Sequence, residues 1–160
     1  VEVWNVPLGF ANVISRPGGK TGEERAWIEA DKLARTKRQR VAAVGGTDNH
    51  KQAVMPTTWV LAESAGEAAV LDALRSGATC VGGDEAGTLE ARTTGAWVKI
   101  GGIVRGPTVE LRWLGEARLV VDGVDLGDKT GGFVHAAGTA PHTYRIVVGA
   151  SRCGFVYANL

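Results

Sequence analysis

The run Val41-Ala42-Ala43-Val44 constrains the fold more than any other part of the chain. It is apolar without alternation, as a strand covered on both faces must be, and such a strand implies further layers around it. Two glycines follow, then Thr47-Asp48-Asn49-His50. Asp48 and His50 both carry side chains that ligate divalent metals, and positions i and i+2 on extended backbone point the same way. Polar ligands just beyond the C-terminal end of a buried strand are where α/β barrels place their chemistry.

The flanking residues supply alternating strands and helices. Val1-Glu2-Val3-Trp4-Asn5 alternates and reads as a strand, and Pro7, Gly9, Pro17, Gly18 and Gly19 make the following stretch a loop. Thr21-Gly22-Glu23-Glu24 has the form of a capping box. Trp27, Ala30, Leu33 and Ala34 then recur at helical spacing, so a helix is expected up to about Arg38. Thr57 to Ala62 reads as a strand, Ser64-Ala65-Gly66-Glu67 as a second capping box, Ala68, Leu71 and Leu74 as a helix face, Gly77 as its stop, and Ala78 to Val81 as a further strand. The order strand–helix–strand–strand–helix–strand predicts an α/β sheet or part of a barrel.

From Thr88 onward no helical pattern recurs. Val109, Leu111 and Trp113 alternate with Glu110 and Arg112, and Val121-Asp122-Gly123-Val124 is a two-residue hairpin signal. Short strands separated by turn residues predict a small antiparallel sandwich or barrel. The division falls at about residue 86, giving units 1–85 and 86–160.

A chain of 160 residues suits one domain or two small ones, and 44% hydrophobic content calls for a packed core. A net charge of +1 provides no basic field for nucleic acid. Lys37-Arg38-Gln39-Arg40 reads as a helix C-terminus, where cations complement the helix dipole. Cys80 and Cys153 read as buried free thiols, because two cysteines do not make a disulfide scaffold. The five tryptophans are dispersed and read as core residues, and Gly101-Gly102 and Gly131-Gly132 as turns or bulges. No apolar run approaches the roughly 20 residues of a membrane span, so no membrane partner is expected. The start at Val1, inside a strand, reads as the interior of a longer polypeptide; a cytoplasmic location is expected, with an export signal upstream left open.

Three segments together resemble the C-terminal half of a PHP (polymerase and histidinol phosphatase) domain, a metal-dependent phosphoesterase family. Glu2-Val3-Trp4-Asn5 is similar to a late barrel strand of that family. Gly45-Gly46-Thr47-Asp48-Asn49-His50 is similar to its last metal motif. Pro56-Thr57-Thr58-Trp59-Val60, with Ala73-Leu74-Arg75-Ser76-Gly77-Ala78-Thr79, is similar to the closing strand and helix. The later half resembles, more loosely, the β-rich appendage of a branch that includes carbamate-ester hydrolases of the carbaryl type.

The resemblance implies an α/β fold, the C-terminal part of a distorted (β/α)7 PHP barrel, followed by a small antiparallel β-sandwich-like domain. It implies two or three divalent ions (Zn, Mn or Fe) around an activated water, with Asp48 and His50 as ligands of different ions. Glu2 becomes a candidate ligand or a residue that orients one. Asn5 becomes a loop anchor and Lys51 a candidate phosphate contact. The family's remaining ligands, an opening His-x-His, further Asp and His residues and a bridging Glu, have no counterpart in the chain. The expectation is therefore a fragment, inactive alone, whose N-terminal half of the barrel is missing. Its expected substrate is a small-molecule or nucleotide phosphate ester. Two alternatives stand beside this: a metal-dependent carbamate or amide hydrolase on the same scaffold, and a non-catalytic binding or assembly module with a vestigial metal motif. His135 and His142 read as surface or packing residues.

Overall fold

A computed structural model of the chain describes residues 2–5, 22–46, 57–82 and 86–160. They form eleven strands and two helices in the order β1 (Glu2–Asn5), α1 (Gly22–Lys37), β2 (Val44–Gly46), β3 (Thr57–Val60), α2 (Glu67–Ser76), β4 (Thr79–Gly82), β5 (Leu89–Arg92), β6 (Val98–Lys99), β7 (Ile103–Val104), β8 (Val109–Val121), β9 (Val124–His135), β10 (His142–Val148) and β11 (Ser151–Ala158). β1 and β2 pair in parallel across the α1 crossover. The other nine strands make one sheet, ordered β3-β4-β11-β10-β8-β5-β6, with β9 added to β8 and β7 to β11.

This architecture corrects the expectation of a (β/α)7 PHP barrel. Among the described residues the fold is mainly antiparallel β, a half-barrel sheet with two helices. The pattern of elements in the first half was legible, but not the direction in which they pair. Strand–helix–strand order across 57–82 suggests a parallel crossover. Instead α2 returns the chain so that β4 runs antiparallel to β3, with Thr57 opposite Gly82 and Val60 opposite Thr79. β4 then pairs antiparallel with β11, nearly at the end of the chain. Local patterning fixes element type; the sheet's partners are chosen by contacts far apart in sequence.

Of the helix signals, Thr21, the expected cap of α1, lies outside the described residues. α1 buries Trp27, Ala30 and Ala34, the stripe its spacing predicts. The second capping box does not form: α2 starts after Gly66, and no side chain caps it. Its end is as expected. Gly77 adopts φ 77°, its N–H donates to the carbonyl of Leu74 and that of Ala78 to Ala73, the paired bonds of a Schellman closure. The hairpin turn between β8 and β9 also forms as read, with Asp122 and Gly123 both at positive φ (55° and 81°), the conformation a two-residue turn requires. β8 continues beyond the alternating Val109–Trp113 stretch through Leu114-Gly115 to Val121, with a bulge between Arg112 and Glu116.

The core has two layers that share β11. On one face α1 covers Val81, Phe155 and Tyr157 together with Val41 and Ala43. On the other, the curled sheet encloses Leu89, Leu111, Trp113, Leu119, Tyr144, Ile146 and Val156. β11 is therefore covered on both faces, the role the sequence had suggested for Val41 to Val44. Cys80 and Cys153, expected as free thiols, are directly opposite each other on β4 and β11 and form a disulfide. The sequence could not reveal this pairing, because it depends on a strand register 73 residues long in loop length.

Candidate functional site

The sequence-predicted site begins at the β1–β2 pair. Glu2 lies opposite Val44 and Asn5 opposite Gly46, so the C-terminal ends of the two parallel strands are level. The segment leading into β2 is locked to the main sheet by buried polar contacts. The Tyr157 hydroxyl accepts a hydrogen bond from the Val41 N–H (2.9 Å) and donates to the Val41 carbonyl (3.0 Å). The Thr79 hydroxyl donates to the Ala43 carbonyl (2.8 Å), and the Gly45 N–H donates to the Thr58 hydroxyl (3.0 Å). Burial pushes the Tyr157 phenol up to about 12, against a smaller opposing effect of its hydrogen bond to Val41. Its proton is thus retained at any neutral pH, and the hydroxyl can make both bonds.

Of the candidate residues, Glu2 and Asn5 lie at the two ends of β1. Asp48, His50 and Lys51 lie outside the described residues. Among the described residues no group of three or more His, Cys, Asp or Glu side chains is placed to hold a metal ion. The chemistry of the donors themselves fits: a carboxylate and an imidazole suit Zn, Mn or Fe.

A second polar cluster, not foreseen from the sequence, joins α1 to the β8–β9 turn and β10. Asp31 on α1 is fully buried. It accepts hydrogen bonds from the Thr143 hydroxyl (2.7 Å) and from Arg145 Nε (3.2 Å). Burial raises the Asp31 carboxyl above the usual carboxylate range, opposed by the Arg145 charge and the Thr143 hydrogen bond. The Arg145 guanidinium also lies 4.9 Å from the centre of the Trp27 ring. Asp122 accepts from the Thr143 N–H (2.9 Å) and faces Arg35 at 3.5 Å. His142 bridges Asp122 Oδ2 (2.7 Å, through Nδ1) and the Ala137 carbonyl (2.8 Å, through Nε2). His135 contacts the Tyr144 hydroxyl at 2.8 Å; burial, and then the neighbouring His142, lower the His135 pKa.

His135 and His142, read as surface or packing residues, are partly buried and hydrogen-bonded within this network. The polar alternation of β10 was the only local hint that Thr143 and Arg145 face α1. That Asp31 would meet them, more than 100 residues away in sequence, was not encoded locally. Asp31, Asp122, His142, Thr143 and Arg145 are tied to one another and anchor the helix to the sheet, while the buried Trp27 Nε1 and Arg35 Nε make no hydrogen bond among the described residues.

No described helix is long and apolar enough to cross a membrane. No protein-family model, no curated protein and no solved structure matches the chain, so the resemblance to PHP domains finds no support from either the fold or the comparisons.

Proposed function

We propose that the chain contributes ligands to a divalent-metal hydrolase centre at the C-terminal edge of the β1–β2 pair. The observation that carries the reading is the parallel register of Asn5 with Gly46. In parallel α/β units ligands bind outside the carboxyl ends of the strands. Asp48 and His50 follow Gly46 in sequence by two and four residues. The proposed substrate is a phosphate ester.

In this reading Asp48 and His50 hold a divalent ion, and Lys51 offers a cation to a phosphate oxygen. Glu2 and Asn5 lie on the neighbouring strand, where they orient the ligand-bearing segment. A bound ion would acidify a coordinated water and stabilise charge developing on the phosphoryl oxygens. Two protein donors hold an ion weakly, so affinity and turnover by these 160 residues are expected to be low.

The test is Mn²⁺ and Zn²⁺ binding by equilibrium dialysis with metal analysis, on the wild type and on the Asp48→Ala and His50→Ala variants. Binding of one ion that both substitutions abolish is the expected result; equal binding in all three proteins would refute it. Hydrolysis of bis(p-nitrophenyl) phosphate against a p-nitrophenyl carbamate then separates the phosphoesterase from the carbamate alternative. A second reading, a non-catalytic binding module, draws on the exposed apolar side chains Leu114, Val124 and Val134 of the β8–β9 hairpin. Unchanged metal binding in both variants would favour it.

A further inference from the structure

A cleft of about 810 Å³ opens between α2 and the β5–β6 edge of the sheet. Its volume is that of a pocket for a small organic molecule. The floor is apolar and built from buried Ala73, Ala78, Leu89 and Ile100. The charged side chains around it are unevenly matched. Asp72 is held by Arg75 at 3.1 Å, and Glu90 by Arg112 at 2.6 Å. Lys99 stands directly opposite Glu90 on β6, yet that carboxylate is already taken by Arg112, and Lys99 makes no ion pair among the described residues. Arg40, the last residue of the basic run after α1, also lines the cleft and is likewise without an ion pair among them. Glu63 on the rim is the remaining carboxylate of the lining. Two cations and one anion that make no ion pair among the described residues therefore line the cleft around its apolar floor.

We propose that this cleft binds an organic anion with an apolar body, its acid group held by Arg40 and Lys99 and its hydrocarbon part laid on Ala73, Ala78, Leu89 and Ile100. A purely apolar ligand would leave both cations without partners. A small inorganic anion would leave the floor uncovered. Only a molecule with both parts uses the whole surface.

Isothermal titration of the whole chain with octanoate, and separately with octan-1-ol, tests the proposal. Octanoate is expected to bind one to one and at least about tenfold more tightly than the alcohol, since only the acid engages the two cations. Lys99→Ala and Arg40→Ala, both at exposed positions, should each weaken octanoate about fivefold. Ala73→Leu, which fills the floor, should abolish binding of both probes. Circular dichroism melting shows whether each variant folds, and the two cation variants decide the question if Ala73→Leu does not. Absence of saturable octanoate binding, equal affinity for the alcohol, or unchanged affinity in the Arg40→Ala/Lys99→Ala double variant would each overturn the proposal.

Discussion

Replacing Tyr157 by Phe removes one buried oxygen and nothing else. The ring remains packed against Phe155, 5.7 Å away, so no cavity larger than a hydroxyl is created. Two hydrogen bonds disappear, and both end on Val41: its N–H loses an acceptor and its carbonyl loses a donor. Tyr157 is fully buried and Val41 nearly so, so the two backbone groups lie away from bulk water. A typical buried hydrogen bond contributes about 1 kcal/mol net, and a buried group left unpaired costs about 1–3 kcal/mol. Two stranded groups, with partial relaxation, give an expected loss of about 2–4 kcal/mol.

Urea unfolding followed by tryptophan fluorescence measures this, with an unchanged m-value showing that the native state is otherwise intact. The pH dependence provides a second signature. A phenol whose pKa is raised from 10 to about 12 in the folded state holds its proton more tightly there than when unfolded. Its stabilisation is complete below pH 10 and is lost as pH rises through 12, amounting to about 2–3 kcal/mol over that window. Tyr157→Phe should therefore flatten the alkaline limb of the stability profile. A loss under about 0.5 kcal/mol at neutral pH, with an unchanged alkaline limb, would refute the idea that this hydroxyl pins the entry to β2.

Two further substitutions test the other long-range ties. Asp31→Ala leaves Arg145 buried without its carboxylate and should cost about 3–5 kcal/mol; chemical denaturation of Asp31→Ala and of the Asp31→Ala/Arg145→Ala pair checks it, the pair being less destabilised than the sum if the two groups are coupled. Cys153→Ala opens a loop of 73 residues, for which chain-entropy arguments give a loss of about 4 kcal/mol; thermal melting of the wild type with and without reductant, beside the variant, checks that the loss comes from the disulfide.

The local signals in the chain were strong where the physics is local. The stripe of Trp27, Ala30 and Ala34 located α1, Gly77 ended α2 because only a residue tolerant of positive φ fits there, and Asp122-Gly123 set the β8–β9 turn. The candidate site is legible only as residue type: Asp48 and His50 carry a carboxylate and an imidazole, groups that can ligate a divalent ion, and both lie outside the described residues. Strand, helix and strand in succession accompany the parallel β1–β2 pair and the antiparallel β3–β4 pair alike, so the order does not set direction.

Pairing over long distances was not legible. An apolar run such as Val41 to Val44 is compatible with a central barrel strand or with a buried approach to a short edge pair, and its composition is the same in both. The chain's own residue sequence settled where helices, turns and apolar faces lie, because those depend on neighbours within a few positions. Tertiary structure alone decided that β4 turns back on β3, that β11 is the strand enclosed on both sides, that Cys80 meets Cys153, and that Asp31 meets Arg145. Those outcomes rest on which buried surfaces and charges find each other once the chain is compact, a property of no short segment.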